Sequence, residues 1–576
     1  MAADDWHKGG RAEMKKVNRR TRTLAAAVAL AGLVAAVPVA TFAQSAVNRL
    51  PGVIDRPTPE VPLPPAPRPL PPLVGAPTPE TVPDANAPVP TLTQVEFTGN
   101  KVESTADLQA VVAPFLNRKL TRGDLAQMKY DITRRYYEDG YILVRVVTPP
   151  QDLSKGVLKV TIYEAKIEKI QANKGVIAEF VVDGITSQIR PGSVFNETQV
   201  ESMVRDLDDL AGVAVSVNLR PGSQVGTTDL DVVLKPTNDF TQSVSVNNYG
   251  SKLTGEWLFN GNFQYGNLLG LGERYALNVT HSNESLFTIQ GGIQTPIGLS
   301  NLILDTSYLY SNSDIGNVFA TLGQTGSTND FKIGVSSALL NTAREKITVR
   351  AGFDARHLVS HVLNGIQTQS DDQVREFSLD ASYLLRLADT TLFTNLQLVQ
   401  GCQCLGASVP DNPLASVAGG DPAPTIFRGT VFARQNLWTN GSIKGRLTGQ
   451  YSGNTLLASD LFSIGGYGSV RGFQPAESTG NSGLQTSIEL DQTLWRNEEW
   501  SFAVGAWFDG GWVWNSVPGA AIDSALYSVG LGAEIHTGVT TIGDTALRFD
   551  WAHPVGTYNS QNIDNDTFYV QLLQTF

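Results

Sequence analysis

The chain is poor in cysteine: Cys402 and Cys404, one residue apart, are the two present in 576 residues. Disulfides therefore cannot organise the fold. No histidine cluster accompanies the pair, so it reads as a small loop bridge or two idle thiols rather than a metal site. Charge is scarce too, at 17% of residues against about 25% in soluble domains. The 43 Lys and Arg are outnumbered by 55 Asp and Glu, a formal net charge of −12, which lacks the basic footprint of a nucleic-acid binder. Beyond the N-terminus no apolar run approaches the roughly 20 residues of a spanning helix, which excludes a multi-pass helical membrane protein. Signatures of catalysis are missing as well. His357 and His361 are four apart but lack the following Glu of a zinc helix. Gly266, Gly270 and Gly272 precede a strand pattern, and no phosphate-binding G-x-x-x-x-G-K-[ST] occurs. No nucleophile elbow is present. No cofactor, metal or enzymatic activity is expected.

The N-terminus carries an export pattern. Lys15, Lys16, Arg19, Arg20 and Arg22 precede an apolar stretch from Leu24 to Ala36, and Ala43-Gln44 offers a small-residue cleavage position. Residues 1–43 are expected to be a signal peptide cut after Ala43. Residues 44–92 are proline-rich, as in Pro62-Leu63-Pro64-Pro65-Ala66-Pro67, and should form an extended, semi-rigid linker. Ahead of Pro51 there is room for a turn or two of helix.

Two small α+β units follow, over residues 93–165 and 166–237. The first offers a strand at Val95–Asn100, helical patterns at Leu108–Leu116 and Leu125–Tyr137, with Thr121 or Asp124 as cap, and strands at Ile142–Val147 and Val157–Ile162. The second offers a strand at Lys166–Gln171, a helix at Glu197–Leu210 and strands at Ala214–Leu219 and Asp229–Leu234. Tandem β-α-α-β-β units are the economical interpretation.

From residue 238 to 576 the pattern has a two-residue period. Trp257, Phe259, Phe263 and Tyr265 alternate with Asn260, Asn262 and Gln264; Phe377, Leu379, Ala381, Tyr383 and Leu385 alternate with Ser378, Asp380, Ser382 and Arg386. One apolar, aromatic-tipped face and one polar face, in segments of about ten residues, predict a transmembrane antiparallel β-barrel. At about 21 residues per strand and connection, about 16 strands are expected. Closure is required because open sheet edges are not tolerated in lipid. The final segment, Phe568 to Phe576, alternates in the same way and ends on an aromatic.

The most specific motif lies in a loop over residues 457–483, which contains Gly465-Gly466-Tyr467-Gly468-Ser469-Val470-Arg471-Gly472-Phe473. Here the chain resembles the Omp85 superfamily, and within it the TpsB two-partner secretion transporters related to the haemolysin and filamentous haemagglutinin secretors. Val470, Arg471, Gly472 and Phe473 match that family's VRG(Y/F) motif, which implies a loop folded back into the barrel lumen. The resemblance spans residues 93–576 and implies that the two soluble units are periplasmic POTRA domains, with Gly140-Tyr141 and Pro150-Gln151 of the first matching. Phe508-Asp509-Gly510-Gly511 resembles the family's F-x-D-x-G strand motif with the spacing contracted by one residue. Phe576 resembles the terminal insertion signal read by the barrel-assembly machinery during biogenesis.

Strand parity supplies a partner for Arg471 without the family. Leu484, Ile488 and Leu490 share the apolar side, which puts Glu489 in the lumen; Phe502, Val504, Ala506 and Phe508 do the same for Asp509. A guanidinium confined there needs a carboxylate, and the two-pronged contact is its strongest option. An Arg471–Asp509 pair with Glu489 nearby is predicted. The resemblance further implies a pore in the outer membrane, surrounded by lipid, that threads an unfolded TpsA-like exoprotein to the cell surface without nucleotide hydrolysis. Family members commonly carry an N-terminal plug helix. The stretch before Pro51 is too short for one, so either a leakier channel or occlusion by the loop is expected. The alternatives are an insertase of the same superfamily, which usually bears more POTRA units, and a diffusion porin.

Overall fold

A computed structural model describes residues 77–173, 175–515, 524–539, 543–555 and 566–576. The expected signal peptide, the stretch before Pro51 and most of the proline-rich linker lie outside the described residues. The end of the linker is not a free spacer: Pro88–Val89 pairs with Leu120–Thr121, Leu92 is fully buried, and Glu80 meets Lys129 at 2.5 Å. Proline can join an edge ladder in this way because only the side lacking its donor faces out.

The first soluble unit consists of β1 (Gln94–Thr98), α1 (Thr105–Val112), α2 (Arg122–Glu138), β2 (Val144–Val147) and β3 (Val157–Glu164). Its sheet runs β1-β3-β2, with β1 parallel and β2 antiparallel to the central strand. Alternate residues Val95, Leu158, Val160 and Ile162 meet Leu108, Val112, Met128, Ile132 and Tyr136 of the helices, and all are buried. Thr121 caps α2, and Asp124, three residues on, completes the capping box, so the two candidate caps act together. The second unit repeats the order: β4 (Lys166–Ala172), α3 (Glu179–Thr186), α4 (Glu197–Asp208), β5 (Val213–Pro221) and β6 (Thr227–Pro236). Helix α3 is absent from the sequence reading because it has only two turns and carries Gly184 inside it; its Val181, Val182 and Ile185 nonetheless complete the core.

Sixteen antiparallel strands then close into a barrel. They are β7 (Phe240–Asn247), β8 (Leu258–Gly266), β9 (Arg274–Ser282), β10 (Phe287–Pro296), β11 (Ile303–Ile315), β12 (Gln324–Asn341), β13 (Glu345–Val362), β14 (Gln367–Arg386), β15 (Thr390–Gly401), β16 (Thr425–Trp438) and β17 (Gly441–Tyr451). After the loop strands β18 (Phe462–Ile464) and β19 (Ser478–Gly480) come β20 (Ser482–Arg496), β21 (Trp500–Trp514), β22 (Ser524–Val539), β23 (Gly543–Pro554) and β24 (Thr567–Thr575). Strand β24 pairs back onto β7 and removes the edge.

Phe259, Phe263, Tyr265, Phe377, Leu379, Phe568 and Leu572 are exposed on the outer face. The opposite parity bonds inside: Asn260 Nδ2 donates to Ser245 Oγ (3.2 Å), and Arg350 grips Asp305 through Nε (3.0 Å) and Nη2 (2.6 Å). The expectation of segments near ten residues fails for β12, β13 and β14, which run 18, 18 and 20 residues. Twenty residues extend about 66 Å, and even tilted by about 45° they overshoot a hydrocarbon layer of about 30 Å. The excess rises on the side away from the soluble units, where segment 402–424 leans on it: Ser408 N donates to Gln373 O, and Ser416 N to Asp372 Oδ1. Cys402 and Cys404 are bridged in that segment.

Helix α4 seats the second unit against the barrel's near-side turns. Asp206 Oδ2 accepts from Asn301 Nδ2 (2.9 Å) and its Oδ1 from Asn341 Nδ2 (2.9 Å), while Lys346 Nζ meets Asp209 at 2.6 Å. Burial pushes the Asp206 carboxyl up, and the amide donors pull against that rise.

In the first unit, burial and the neighbouring Asp139 push the Glu103 carboxyl up to about 7 against the pull of Arg135 at 3.4 Å. An acid whose folded pKa is raised contributes its stability below the unfolded value of about 4.3 and loses it as pH climbs through the folded one. Local opening measured by hydrogen exchange at Val95 and Val160 should therefore become easier between about pH 4.3 and 7, and Glu103→Gln should flatten that dependence. A pH-independent opening in the unaltered protein would contradict this.

Candidate functional site

The long connection between β17 and β20 leaves the far rim and folds back into the lumen. Strands β18 and β19 pair antiparallel as its stem. Beyond Ile464 the chain turns sharply through Gly465 and Gly466, both at positive φ, and a Cβ at Gly465 would sit 2.5 Å from the Gln474 carbonyl oxygen. Only glycine suits that turn. The loop tip then seats an apolar patch: Ile464, Val470 and Phe473 bury against Val513 and Leu526 of the wall. Gly511 makes the room, since a Cβ there would meet Val470 at 2.8 Å and Ile464 at 2.9 Å.

Arg471 follows directly and is 5% exposed. Its Nε donates to Asp509 Oδ2 (2.7 Å) and its Nη2 to Asp509 Oδ1 (2.9 Å), while its own backbone N–H reaches Oδ2 at 3.2 Å. Nη1 lies 3.3 Å from Glu489 Oε2, and Nη2 donates to Ser487 Oγ, which in turn donates to Asp509 Oδ1 at 2.6 Å. The guanidinium carbon stands 3.5 Å from the centroid of the Trp507 ring. Register explains the convergence: Asp509 lies opposite Ser487, and Trp507 opposite Glu489, all on one face of β20 and β21.

Further contacts fix the rest of the tip. Glu489 Oε1 accepts from Arg548 Nη2 (3.1 Å), and Arg548 Nε donates to Asp550 Oδ2 (2.8 Å), which also accepts from Tyr467 OH (2.9 Å). Tyr467 stacks on Tyr249 at 3.5 Å and meets Tyr569 edge-on. The Gly472 N–H donates to Tyr569 OH at 2.9 Å, and Arg446 Nη2 donates to the Gly468 carbonyl at 2.6 Å. Strands β17, β20, β21, β23 and β24 and the loop are thus tied through one buried polar network.

The structure brings Val470, Arg471, Gly472, Phe473, Asp509 and Glu489 together. Phe576 is elsewhere, 57% exposed at the near rim, with its N–H donated to Gln242 O. Sequence reasoning passed over Trp507, Ser487, Arg548 and Tyr569, and gave Tyr467 of the motif no partner. Parity held the signal for two of them, because Trp507 and Tyr569 are aromatics on the polar side of their strands. Below the tip, toward the soluble units, lies a cavity of about 1160 Å³ bordered by Arg434, Lys444, Glu489, Asp491, Glu534 and Arg548. Acids and bases both line it, beside Leu387, Leu437 and Trp438, so it carries no field of one sign. His357 faces Asp371 and His361 faces Thr368, away from this site. No cluster suited to a metal occurs among the described residues.

Removing one partner of a buried ion pair costs about 3–5 kcal/mol because the other charge is stranded. Arg471→Ala should leave the closed barrel intact, judged by heat-modifiable migration in a gel, while exposing the tip to added protease. Arg471→Lys keeps the charge but not the fork or the ring stacking, and should fall between. An equally protected loop in Arg471→Ala would contradict the tether.

Comparison with known proteins places the family. The family model for haemolysin secretion/activation proteins ShlB/FhaC/HecB matches residues 226–535, and the ShlB-type POTRA domain matches residues 91–165. The outer membrane transporter CdiB of Dickeya dadantii is 26% identical over 462 residues, 77% of this chain and 80% of that one. The haemolysin transporter protein ShlB of Serratia marcescens is 23% identical over 440 residues, 72% of each. The solved structure of CdiB from Escherichia coli shares the fold with a TM-score of 0.72 at 22% identity, covering 87% of this chain and 93% of its own. With more than half its length matched, the chain belongs to the ShlB/FhaC/HecB family of haemolysin secretion/activation proteins.

Proposed function

We propose that this protein is the outer-membrane translocation pore of a two-partner secretion system. It takes an unfolded TpsA-like exoprotein from the periplasm and passes it through the barrel to the cell surface. One observation carries the reading: a polar lumen crossed by a loop held through the buried Arg471–Asp509 pair, standing directly above two β-α-α-β-β units in the same chain. A diffusion porin needs neither the loop nor the units.

The chemistry of each part fits transport. In the orders β4-β6-β5 and β1-β3-β2, the outer strand β5 and the strands β1 and β2 present main-chain edges, while β4 is bridged by Val194 at its start; on such an edge an extended chain can add as a further strand, gaining affinity with little sequence demand. The lumen cavity mixes acids and bases, so a passing chain meets no charge field of one sign. With no nucleotide chemistry in the sequence, folding of the cargo outside is the energy source. Val470, Arg471, Gly472 and Phe473 form the tether that sets the pore's resting state, and Asp509 and Glu489 receive it. Phe576 serves insertion by the barrel-assembly machinery, and the chain performs no catalysis.

Co-expression with a large exoprotein encoded alongside this chain, followed by assay of surface release, tests the reading. Release should require this protein. Arg471→Ala should lower it several-fold while the barrel still inserts; normal export by that variant would refute the role of the tether. No release of any such exoprotein would refute the function.

A further inference from the structure

The loop is anchored a second time, at its root, on a stretch of the barrel wall centred on β13 to β17. Residues Ala458–Asp460 form one short helical turn on the descending limb, and Ser459 and Asp460 are 0% and 1% exposed. Asp460 Oδ1 accepts from Arg356 Nη2 (3.0 Å) on β13 and from Arg428 Nη2 (3.5 Å) on β16. The Asp460 carbonyl accepts from Gln450 Nε2 of β17 (2.7 Å), and the Ser459 carbonyl from Arg356 Nη1 (3.3 Å). Arg356 is itself buried and pairs with Glu376 on β14 and with Asp354. From above, segment 402–424 closes over the turn: Ser416 Oγ accepts from the Ala458 N–H (2.9 Å), and the Asp421 N–H donates to Thr455 O (2.8 Å).

None of these groups belongs to the Arg471 network. That network uses β20, β21, β23 and β24 together with Arg446 of β17, whereas the root uses β13, β14, β16 and, through a different residue, Gln450 of β17. The loop is therefore a strap fixed at two places, with Gly465 and Gly466, both at positive φ, between them. Lifting the root would remove one carboxylate from two guanidinium groups and two carbonyls from their donors in a water-poor pocket, and such groups are expensive to strand. We infer that Asp460 is a second positioning residue of the pore: it holds the loop root on the wall independently of Arg471, so that the loop opens from its tip, pivoting at Gly465-Gly466 while residues 457–464 stay seated.

Cysteine labelling of the full-length protein in outer-membrane vesicles tests this without any cargo, so its outcome is separate from the proposed function. The native cysteines are bridged to each other, and two reporters, Ala458→Cys and Ser469→Cys, are challenged with a polyethylene-glycol maleimide. In the Arg471→Ala background, labelling at position 469 should accelerate at least about tenfold while position 458 stays within about twofold. Asp460→Asn should accelerate labelling at position 458 at least about tenfold, and Asp460→Glu should restore protection. Labelling at 458 and 469 rising together in Arg471→Ala would show that the loop leaves as one body and overturn the inference. Unchanged protection of 458 in an inserted Asp460→Asn barrel would overturn it equally. Should Asp460→Asn fail to insert, the Arg471→Ala comparison decides alone.

Discussion

Backbone amides and carbonyls cannot be left without partners in hydrocarbon, and the remainder of this molecule follows from that constraint. Sixteen strands closed by β24 on β7 satisfy them in one continuous ladder. Closure forces the two-residue period, the period separates a lipid face from a lumen face, and the lumen face is where charge can be kept. Arg350 with Asp305 and Asp380, Lys444 with Asp491, and Arg548 with Glu489 are all inward ion pairs of this kind. The low overall charge of the chain belongs to the same logic, since half of every spanning strand must face lipid.

A barrel of this width needs something inside it, and the long loop meets that need through chemistry rather than bulk. Its apolar tip residues are few, and its hold rests on buried charges whose separation strands both members. Such contacts are poor sources of net stability but specify one arrangement strongly when they are satisfied together. Arg471 has a carboxylate on two of its edges and an aromatic face beneath it, which makes its seat geometrically exacting. The soluble part is joined to this machine at the opposite end, where Asp206 of α4 and Asp209 just past it meet the side chains of Asn301 and of Asn341 and Lys346 at the near ends of β12 and β13. Soluble units and barrel are thereby in fixed register, with the mixed-charge cavity left open under the β15–β22 side of the wall.

Much of this was legible in the residues. Alternation at Phe377–Arg386 and at Phe502–Asp509 placed the apolar side outward and Asp509 and Glu489 inward, because a period of two leaves one choice once either face is known. The glycines around Arg471 marked a turn that had to be tight. What was not legible depended on distance along the chain. Arg356 lay on the polar side of its strand, yet its partner Asp460 is 104 residues away and no local pattern links them. Helix α3 was too short for a helical period to declare itself. The overlong β12, β13 and β14 looked like ordinary segments because the alternation continues unbroken past the lipid boundary. The extra length of β14 backs segment 402–424, whose packing is tertiary.

The central claim is that the Arg471 guanidinium and the Asp509 carboxylate hold the loop tip as a coupled pair. A double-mutant cycle measures this directly: Arg471→Ala, Asp509→Ala and the combination, each read by hydrogen exchange of the amides in residues 466–476. The account predicts that the second substitution adds little to the first, a coupling of at least about 1.5 kcal/mol. Opening free energies that add to within about 0.5 kcal/mol would contradict it.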